Sequence, residues 1–118
     1  MLINFSNHPS KEWKRNQLEA AKVYGEIKDI EFPAVDPYAD YNDIHSLASH
    51  YVEEILTLAQ NNQVAVHIMG EMTLAFHVVS LLKEKGIECI ASTTDRNSEM
   101  ISDSQKISDF QFVRFRKY

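Results

Sequence analysis

Three short polar clusters in this sequence hold the residue types that bind or cleave a small anionic ligand. Histidine transfers protons near neutral pH or hydrogen-bonds a phosphate, arginine balances phosphate charge, and hydroxyl and amide groups orient a ligand. His8 and Arg96 are therefore the candidate catalytic residues. The candidate ligand-binding residues occupy all three clusters: Ser6, Asn7, Gly70, Glu71, Thr73, Ser92, Thr93 and Thr94.

Each cluster also has a structural interpretation, which the sequence leaves open. Gly70 allows a sharp turn or the close approach of a ligand to the backbone. Glu71 and Thr73 suit the first turn of a helix, whose free N–H groups favour anions but whose dipole a carboxylate already satisfies. Glu71 would repel a phosphate, yet it suits a ribose hydroxyl or an exocyclic amine. His8 and Arg96 are equally compatible with solvated loop positions, Asn7 with a tight turn, and the hydroxyls after residue 91 with a strand end.

The remaining histidines and the cysteine are predicted to be packing or surface residues. His67 falls in the middle of an apolar run and His77 in the middle of a helical pattern, whereas His45 and His50 flank a helix's apolar stripe. Because no histidines have metal-ligand spacing, no metal is predicted. The motifs GxGxxG, GxxxxGK[ST] and GxSxG do not occur, so no cofactor is predicted. Cys89 is predicted to lie in the core.

The elements that position these clusters alternate between strands and helices. Short apolar segments predict strands over residues 2–5, 64–69, 87–91 and 110–116, and an imperfect alternation of apolar and charged residues predicts an edge strand over 27–32. Helices are predicted over 11–24, with Ser10 as the cap, over the segment that begins after Asp40 and ends at Asn61, and over 72–85. Residues 92–108 read as polar and irregular. The four phenylalanine and valine side chains of 110–115 predict a last strand covered on both faces, by helices or by a partner chain.

This βαβαβαββ order predicts an α/β fold, a small Rossmann-like three-layer sandwich formed by residues 1–118 as a single domain. Right-handed crossovers favour the parallel strand order 2-1-3-4 with an antiparallel C-terminal strand. Ligands bind such sheets beyond the carboxyl ends of the strands, where the strand order reverses. The three polar clusters follow the first, third and fourth strands, so we expect them to meet along one rim.

The bulk composition narrows the class of partner. The chain has 118 residues, of which 44% are hydrophobic and 25% are charged, with three Gly and three Pro. This is the balance of an ordinary globular protein. The net charge of −5 argues against a general duplex nucleic-acid binder. No apolar run reaches the roughly 20 residues of a membrane span, and no signal-peptide pattern is visible. A single cysteine fits a reducing cytoplasm.

A rim on so small a domain makes a shallow site, so we expect a homodimer that encloses the ligand.

Several segments resemble small CRISPR-associated proteins of type III systems: LINFSNHPS, HIMGEMTLAFHVVSLLKEKGI and ASTTDR with FQFVRFRKY. The resemblance implies the CRISPR-associated Rossmann fold, a homodimer, and a cyclic oligoadenylate messenger of antiviral defence held over the two-fold axis by the carboxyl ends of the strands. Some small members are ring nucleases that linearise this messenger without metal. Three alternatives stay open: a ring nuclease, a non-catalytic nucleotide-binding or sequestering module, and a protein-interaction subunit with no ligand.

Overall fold

Five strands form one sheet in the order β2-β1-β3-β4-β5 in the computed structural model. The structure describes the backbone of residues 1–102 and 105–118, and the side chains in these ranges other than those of 97–101 and 105–109. The strands are β1 (Leu2–Ser6), β2 (Ile27–Glu31), β3 (Ala65–Met69), β4 (Glu88–Ser102) and β5 (Gln105–Lys117). The helices are α1 (Arg15–Ala21), α2 (Tyr41–Ala59) and α3 (Met72–Glu84), with 3-10 turns at Ser10–Glu12 and Lys22–Tyr24.

The predicted topology is confirmed. The first four strands are parallel to their neighbours, and β5 pairs with β4 in the antiparallel direction. Helices α2 and α3 cover one face of the sheet, where the larger apolar core lies. The other face carries α1 and a smaller apolar cluster that includes Trp13 and Phe115. The result is the small Rossmann-like sandwich expected from the sequence. None of the helices in the described part of the chain has the length and apolar character of a membrane span.

The predicted helix over 11–24 is wrong in its length. Trp13 and Lys14 are extended, with ψ angles of 138° and 166°, and they separate a 3-10 turn from the seven-residue helix α1. Ser10 does not cap this helix, because its hydroxyl donates to Asp29 instead. The break lets the Trp13 indole reach the sheet, where it is 4% exposed and donates to the His8 carbonyl at 3.1 Å.

The other two helices begin and end where the sequence predicts. Asp40 and Asp43 form a capping box at the start of α2, each side chain accepting from the other's backbone N–H at 3.0 Å. Gln60, in the left-handed region with a φ of 49°, ends this helix just before the predicted Asn61. Helix α3 ends just before Gly86, whose φ of 75° lies in the left-handed region. Glycine is the residue best suited to that conformation at the end of a helix.

The prediction of an irregular segment over 92–108 is also wrong. Strands β4 and β5 form a long hairpin that continues from Ile90 and Lys117 to Ser102 and Gln105, while residues 103 and 104 lie outside the described residues. Strand β3 pairs with β4 only as far as His67 and Ile90, so most of the hairpin extends beyond the carboxyl edge of the parallel sheet. The alternation of polar with apolar residues that a two-stranded arm needs is weak in SEMISDSQ, which explains the error.

The last strand is covered on one face within the single chain. A bulge at Val113, between the pairs formed by Thr93 and Thr94, brings Phe112 and Phe115 to the same side, with ring centroids 4.9 Å apart. Phe115 packs against Trp13 and Tyr24. Val113 is 57% exposed. The prediction that both faces of this strand are covered is therefore met on one face only by the part of the chain that the structure describes.

Candidate functional site

A network of hydrogen-bonded polar side chains crosses the sheet beneath α1; its members are buried at Asn4, His67 and Gln17, half-buried at Ser92 and exposed at Asp29. It runs from Asp29 on β2 through Asn4 on β1 and His67 on β3 to Ser92 on β4, and it ends at Gln17 of α1. Asn4 lies opposite Asp29 in one ladder and opposite His67 in the next, so the pairing register creates this row. Burial of polar groups is stable only when they are hydrogen-bonded. Among the described residues, every buried side-chain nitrogen and oxygen has a hydrogen-bond partner.

The orientation of the Asn4 side-chain amide is fixed by its hydrogen bonds. Its amide nitrogen donates to the His8 carbonyl at 2.9 Å and to the Asp29 carboxylate at 2.7 Å. Both partners are acceptors only, so the orientation of the Asn4 amide is unambiguous. Its oxygen Oδ1 therefore faces the Ser6 hydroxyl, which donates at 2.8 Å, and the His67 ring, whose Nδ1 lies at 2.8 Å.

The network determines the tautomer of His67. The ring is 2% exposed and lies between Trp13 and Phe115, with edge-to-face centroid distances of 5.4 and 5.5 Å. Burial lowers the pKa of His67 to about 4, and the nearby His8 adds to this shift. The imidazole is therefore neutral at pH 7. Because Nδ1 faces the acceptor Asn4 Oδ1, Nδ1 carries the proton and Nε2 can only accept.

Ser92 connects this buried ring to the surface. Its Oγ lies 2.7 Å from His67 Nε2, which must accept the Ser92 proton. The same oxygen accepts from the Gln17 side chain at 3.2 Å. Ser92 is half-buried, whereas Asn4, His67 and Gln17 are buried. A hydrogen-bonded series of hydroxyl, imidazole and amide results, with its hydroxyl end towards solvent.

His8 is held in place by its backbone. Its carbonyl accepts from Asn4 and Trp13, and its N–H donates to Ser6 Oγ at 3.1 Å. Its side chain is exposed, and it is close enough to His67 for its charge to disfavour protonation of that ring. Ser6, predicted as a ligand-binding residue, is itself buried and serves this network.

A cavity of about 440 Å³ lies at the carboxyl ends of β1 and β2 and is lined in part by Ser6, Asn7, Lys11, Asp29 and Glu31. This volume is within the range of small-molecule sites. Partial burial acts to raise the pKa of Asp29, but hydrogen bonds from Ser10 and Asn4 outweigh it and keep the pKa below its usual value. Asp29 is thus a charged acceptor at physiological pH.

The turn from β3 into α3 is accounted for by local contacts. Glu71 is the N-cap of α3 and accepts from the backbone N–H groups of Thr73 and Leu74 at 3.0 and 2.9 Å. The Thr73 hydroxyl donates to the same carboxylate, and these hydrogen bonds lower the pKa of Glu71. At Gly70, an added Cβ would lie 2.6 Å from three ring atoms of Phe32. Ligand roles for Gly70, Glu71 and Thr73 remain predictions.

The fourth-strand cluster is spread along β4 rather than gathered at one point. The Thr93 hydroxyl is engaged with the backbone of Arg114, donating to its carbonyl at 3.1 Å and accepting from its N–H at 3.2 Å. Thr94, the next residue, is exposed. The Arg96 guanidinium carbon lies 5.4 Å from the centroid of the Phe110 ring. At the usual rise of a β-strand, Arg96 is roughly 13 Å beyond Ser92. The structure therefore brings Ser92 to the network and places Arg96 out on the hairpin.

Comparison with known proteins gives a family but no activity. A family model described as the uncharacterized protein MJ1673 family matches residues 1–116. The chain belongs to this family. No curated protein and no solved structure matches it. The family's description carries no statement of function, so the resemblance to CRISPR-associated proteins stays a prediction.

Sequence reasoning missed Asn4, Gln17, Asp29 and His67 as members of the site. His67 was predicted to be a core residue, and it is buried as predicted, but its ring is hydrogen-bonded at both nitrogens. A signal was present: Asn4 and His67 are each the third residue of a short apolar strand, LINFS and AVHIM. A buried polar residue in an apolar strand is more informative than a polar residue in a loop. Cys89 is a core residue as predicted, and burial raises its pKa to about 11.

Proposed function

We propose that this protein binds a cyclic oligoadenylate along the carboxyl edge of its sheet, at a rim shared by two copies of the chain, and opens the ring without a metal ion. The observation that carries the proposal is the connection, through His67, between the end of β1 and Ser92 of β4. This joins Ser6, His8 and Ser92 into one rigid edge. The type III CRISPR resemblance supplies the identity of the messenger.

The dimensions of the edge favour a ligand of several nucleotides. The cavity between β1 and β2 can take one nucleoside, with Asp29 and Glu31 as acceptors for the exocyclic amine of adenine. Ser92 lies two strands away from β1, a distance of roughly 10 Å at about 4.8 Å per strand. A mononucleotide bound in the cavity would not reach Ser92, whereas a chain of nucleotides would.

Charge at the edge is compatible with phosphates despite the net charge of −5. Lys11 lines the cavity, and His8 is exposed beside it at the end of β1. Lys11 shares the cavity with the carboxylates of Asp29 and Glu31, so the phosphates would lie on the Lys11 side, and charges beyond about 10 Å are screened at physiological ionic strength. Binding should therefore weaken as salt concentration rises.

The hairpin favours a dimer. Phe110 and Val113 on β5 are 56% and 57% exposed, and the predicted cover for one face of this strand is not supplied by the described part of the chain. A second copy related by a two-fold axis would cover this surface and enclose a ligand over the two carboxyl edges. Paired edges would also convert a shallow rim into a cleft.

The chemistry requires little from the protein. A ribose 2′-hydroxyl must be placed in line with the adjacent phosphorus, and charge that develops on the phosphate must be stabilised. The exposed imidazole of His8 and backbone N–H groups at the edge are suited to the second task. A metal-free reaction of this kind is expected to be slow.

The proposal is tested by calorimetric titration of cyclic tetra-adenylate into the protein, with linear tetra-adenylate as the control ligand and light scattering on the same samples. We expect one cyclic ligand per two chains and weaker binding of the linear form. Lys11→Ala should weaken binding about tenfold, the effect of a lost charge-assisted contact at a solvated site. Lys85→Ala, at the C-terminal end of α3 and away from this edge, is the matched control. A monomer at micromolar concentration with and without ligand would contradict the shared rim.

His8→Ala separates catalysis from binding at this edge. A catalytic His8 predicts that the rate at saturation falls about 10²-fold with affinity largely kept. A positioning His8 predicts weaker binding and an unchanged rate at saturation. Retained affinity without ring opening in the unmodified protein would favour the sequestering module over the ring nuclease.

A further inference from the structure

We propose that Ser92 is a catalytic residue that passes the proton of the attacking ribose 2′-hydroxyl to His67, with Asn4 as the positioning residue behind the ring. This inference rests on the proposed function and identifies the base for its chemical step. It comes from the hydrogen-bonded series that joins Ser92 Oγ, His67 Nε2 and Nδ1, and Asn4 Oδ1 at 2.7 and 2.8 Å.

The direction of each hydrogen bond leaves Ser92 Oγ able to accept a hydrogen bond from a group on its solvent side. Because His67 Nε2 carries no proton, the Ser92 proton must point to the ring. Gln17 donates to one lone pair of Ser92 Oγ. A hydroxyl oxygen has two lone pairs, and the second can accept only from a donor such as a ribose hydroxyl. Ser92 is also the member of the series that lies closest to solvent.

The proton transfer balances as a relay. The 2′-oxygen attacks phosphorus as its proton moves to Ser92 Oγ, while the original Ser92 proton moves to His67 Nε2. The bond between O2′ and phosphorus forms, and the bond between phosphorus and O5′ breaks. The leaving O5′ takes a proton from water. The products carry a 2′,3′-cyclic phosphate and a 5′-hydroxyl, and His67 then returns its proton through Ser92 to solvent.

Burial explains why the relay would be slow and why it would still work at neutral pH. The low pKa of His67 keeps the ring in the form that accepts a proton, but it also makes the ring a weak base. Asn4 Oδ1 accepts from Nδ1 and holds the ring plane towards Ser92. Asn4 is in turn anchored by Asp29 and the His8 carbonyl, so the geometry is preorganised rather than formed on binding.

The test is single-turnover cleavage of labelled cyclic tetra-adenylate by excess protein at saturation, in chelator, with affinity measured in parallel. Ser92→Ala should lose about 10²-fold or more in rate, with affinity changed less than about tenfold. Ser92→Thr, which restores the hydroxyl, should recover part of the rate. His67→Gln keeps a hydrogen-bonding side chain but cannot take up a proton, and it should be as slow as Ser92→Ala. Ser49→Ala, another half-buried serine, hydrogen-bonded within α2, is the matched control.

The pH profile adds a readout that a merely structural role would not change. The unmodified protein should show a flat rate between pH 6 and pH 8, where His67 is neutral, whereas residual cleavage by Ser92→Ala should rise with hydroxide concentration. Wild-type rates in Ser92→Ala, or a protein that binds without cleaving, would overturn the relay and leave the binding proposal intact. Absence of any cyclic oligoadenylate binding would overturn the proposed function and the relay with it.

Discussion

Protonation of His67 should destabilise the fold by an amount that can be measured between pH 7 and pH 5. The pKa of the buried ring is about 4, against 6.5 for a solvated histidine. Between these two pKa values His67 is protonated in the unfolded chain but neutral in the folded chain. The contribution of the neutral ring to the free energy of unfolding is therefore fully present above pH 6.5 and is lost as pH falls towards 4. The full difference of about 2.5 pKa units corresponds to roughly 3 kcal/mol, and the loss at pH 5 is about 2 kcal/mol.

Urea unfolding at a series of pH values measures this loss. Trp13, whose ring centroid lies 5.4 Å from that of His67, reports unfolding by its fluorescence. His67→Gln is the comparison, because it removes the titrating ring while the carboxylates that also titrate stay the same. The difference in unfolding free energy between the two proteins should change by about 2 kcal/mol from pH 7 to pH 5. Parallel curves, or a His67 ring that titrates near pH 6.5 by NMR, would refute the buried neutral imidazole.

Three further substitutions test the contacts around the site. Gly70→Ala should destabilise the fold by about 1–3 kcal/mol through overpacking against Phe32. Phe32→Leu should relieve part of that loss in the double variant. An unchanged melting temperature in the single variant would contradict the close contact. Asp29→Ala should cost about 1 kcal/mol because Asn4 loses one of two acceptors, and equal stability in urea unfolding would count against the network. Glu71→Ala should cost about 1 kcal/mol as a lost N-cap, and no loss of helix α3 stability by hydrogen exchange would argue against that role.

The fold was predictable because its elements follow simple periodicities. The short apolar runs that became β1 and β3, and the capped amphipathic pattern of α2, determine the alternation of strands and helices and hence the sheet order. Two errors came from long-range contacts. Trp13 leaves a helical pattern to pack on the sheet, and β4 continues past Ser92 because β5 pairs with it over a distance that local patterning does not encode.

The edge of the sheet that carries the candidate site was predictable from the sequence, but the hydrogen-bonded row of side chains behind that edge was not. Topology alone places the ends of β1 and β3 at one edge of the sheet, beside the part of β4 that begins at Ser92. The hydrogen-bonded row depends on the register that sets Asn4 opposite both Asp29 and His67, and register is a property of the assembled sheet. The contact that restricts Gly70 illustrates the same limit, since the nearest atoms to its missing Cβ belong to Phe32, which is distant in the sequence, while its ligand role stays a prediction.

Incubation of the protein with cyclic tri-, tetra- and hexa-adenylate in chelator, followed by chromatography of bound and free nucleotides, tests the central proposal most directly. We expect at least one ring size to co-elute with a dimer and to be converted slowly to linear products with 2′,3′-cyclic phosphate ends. Intact rings of all three sizes that never associate with the protein would contradict the proposed function, and the hydrogen-bonded row from Asp29 to Ser92 would then serve only to hold α1 on the sheet.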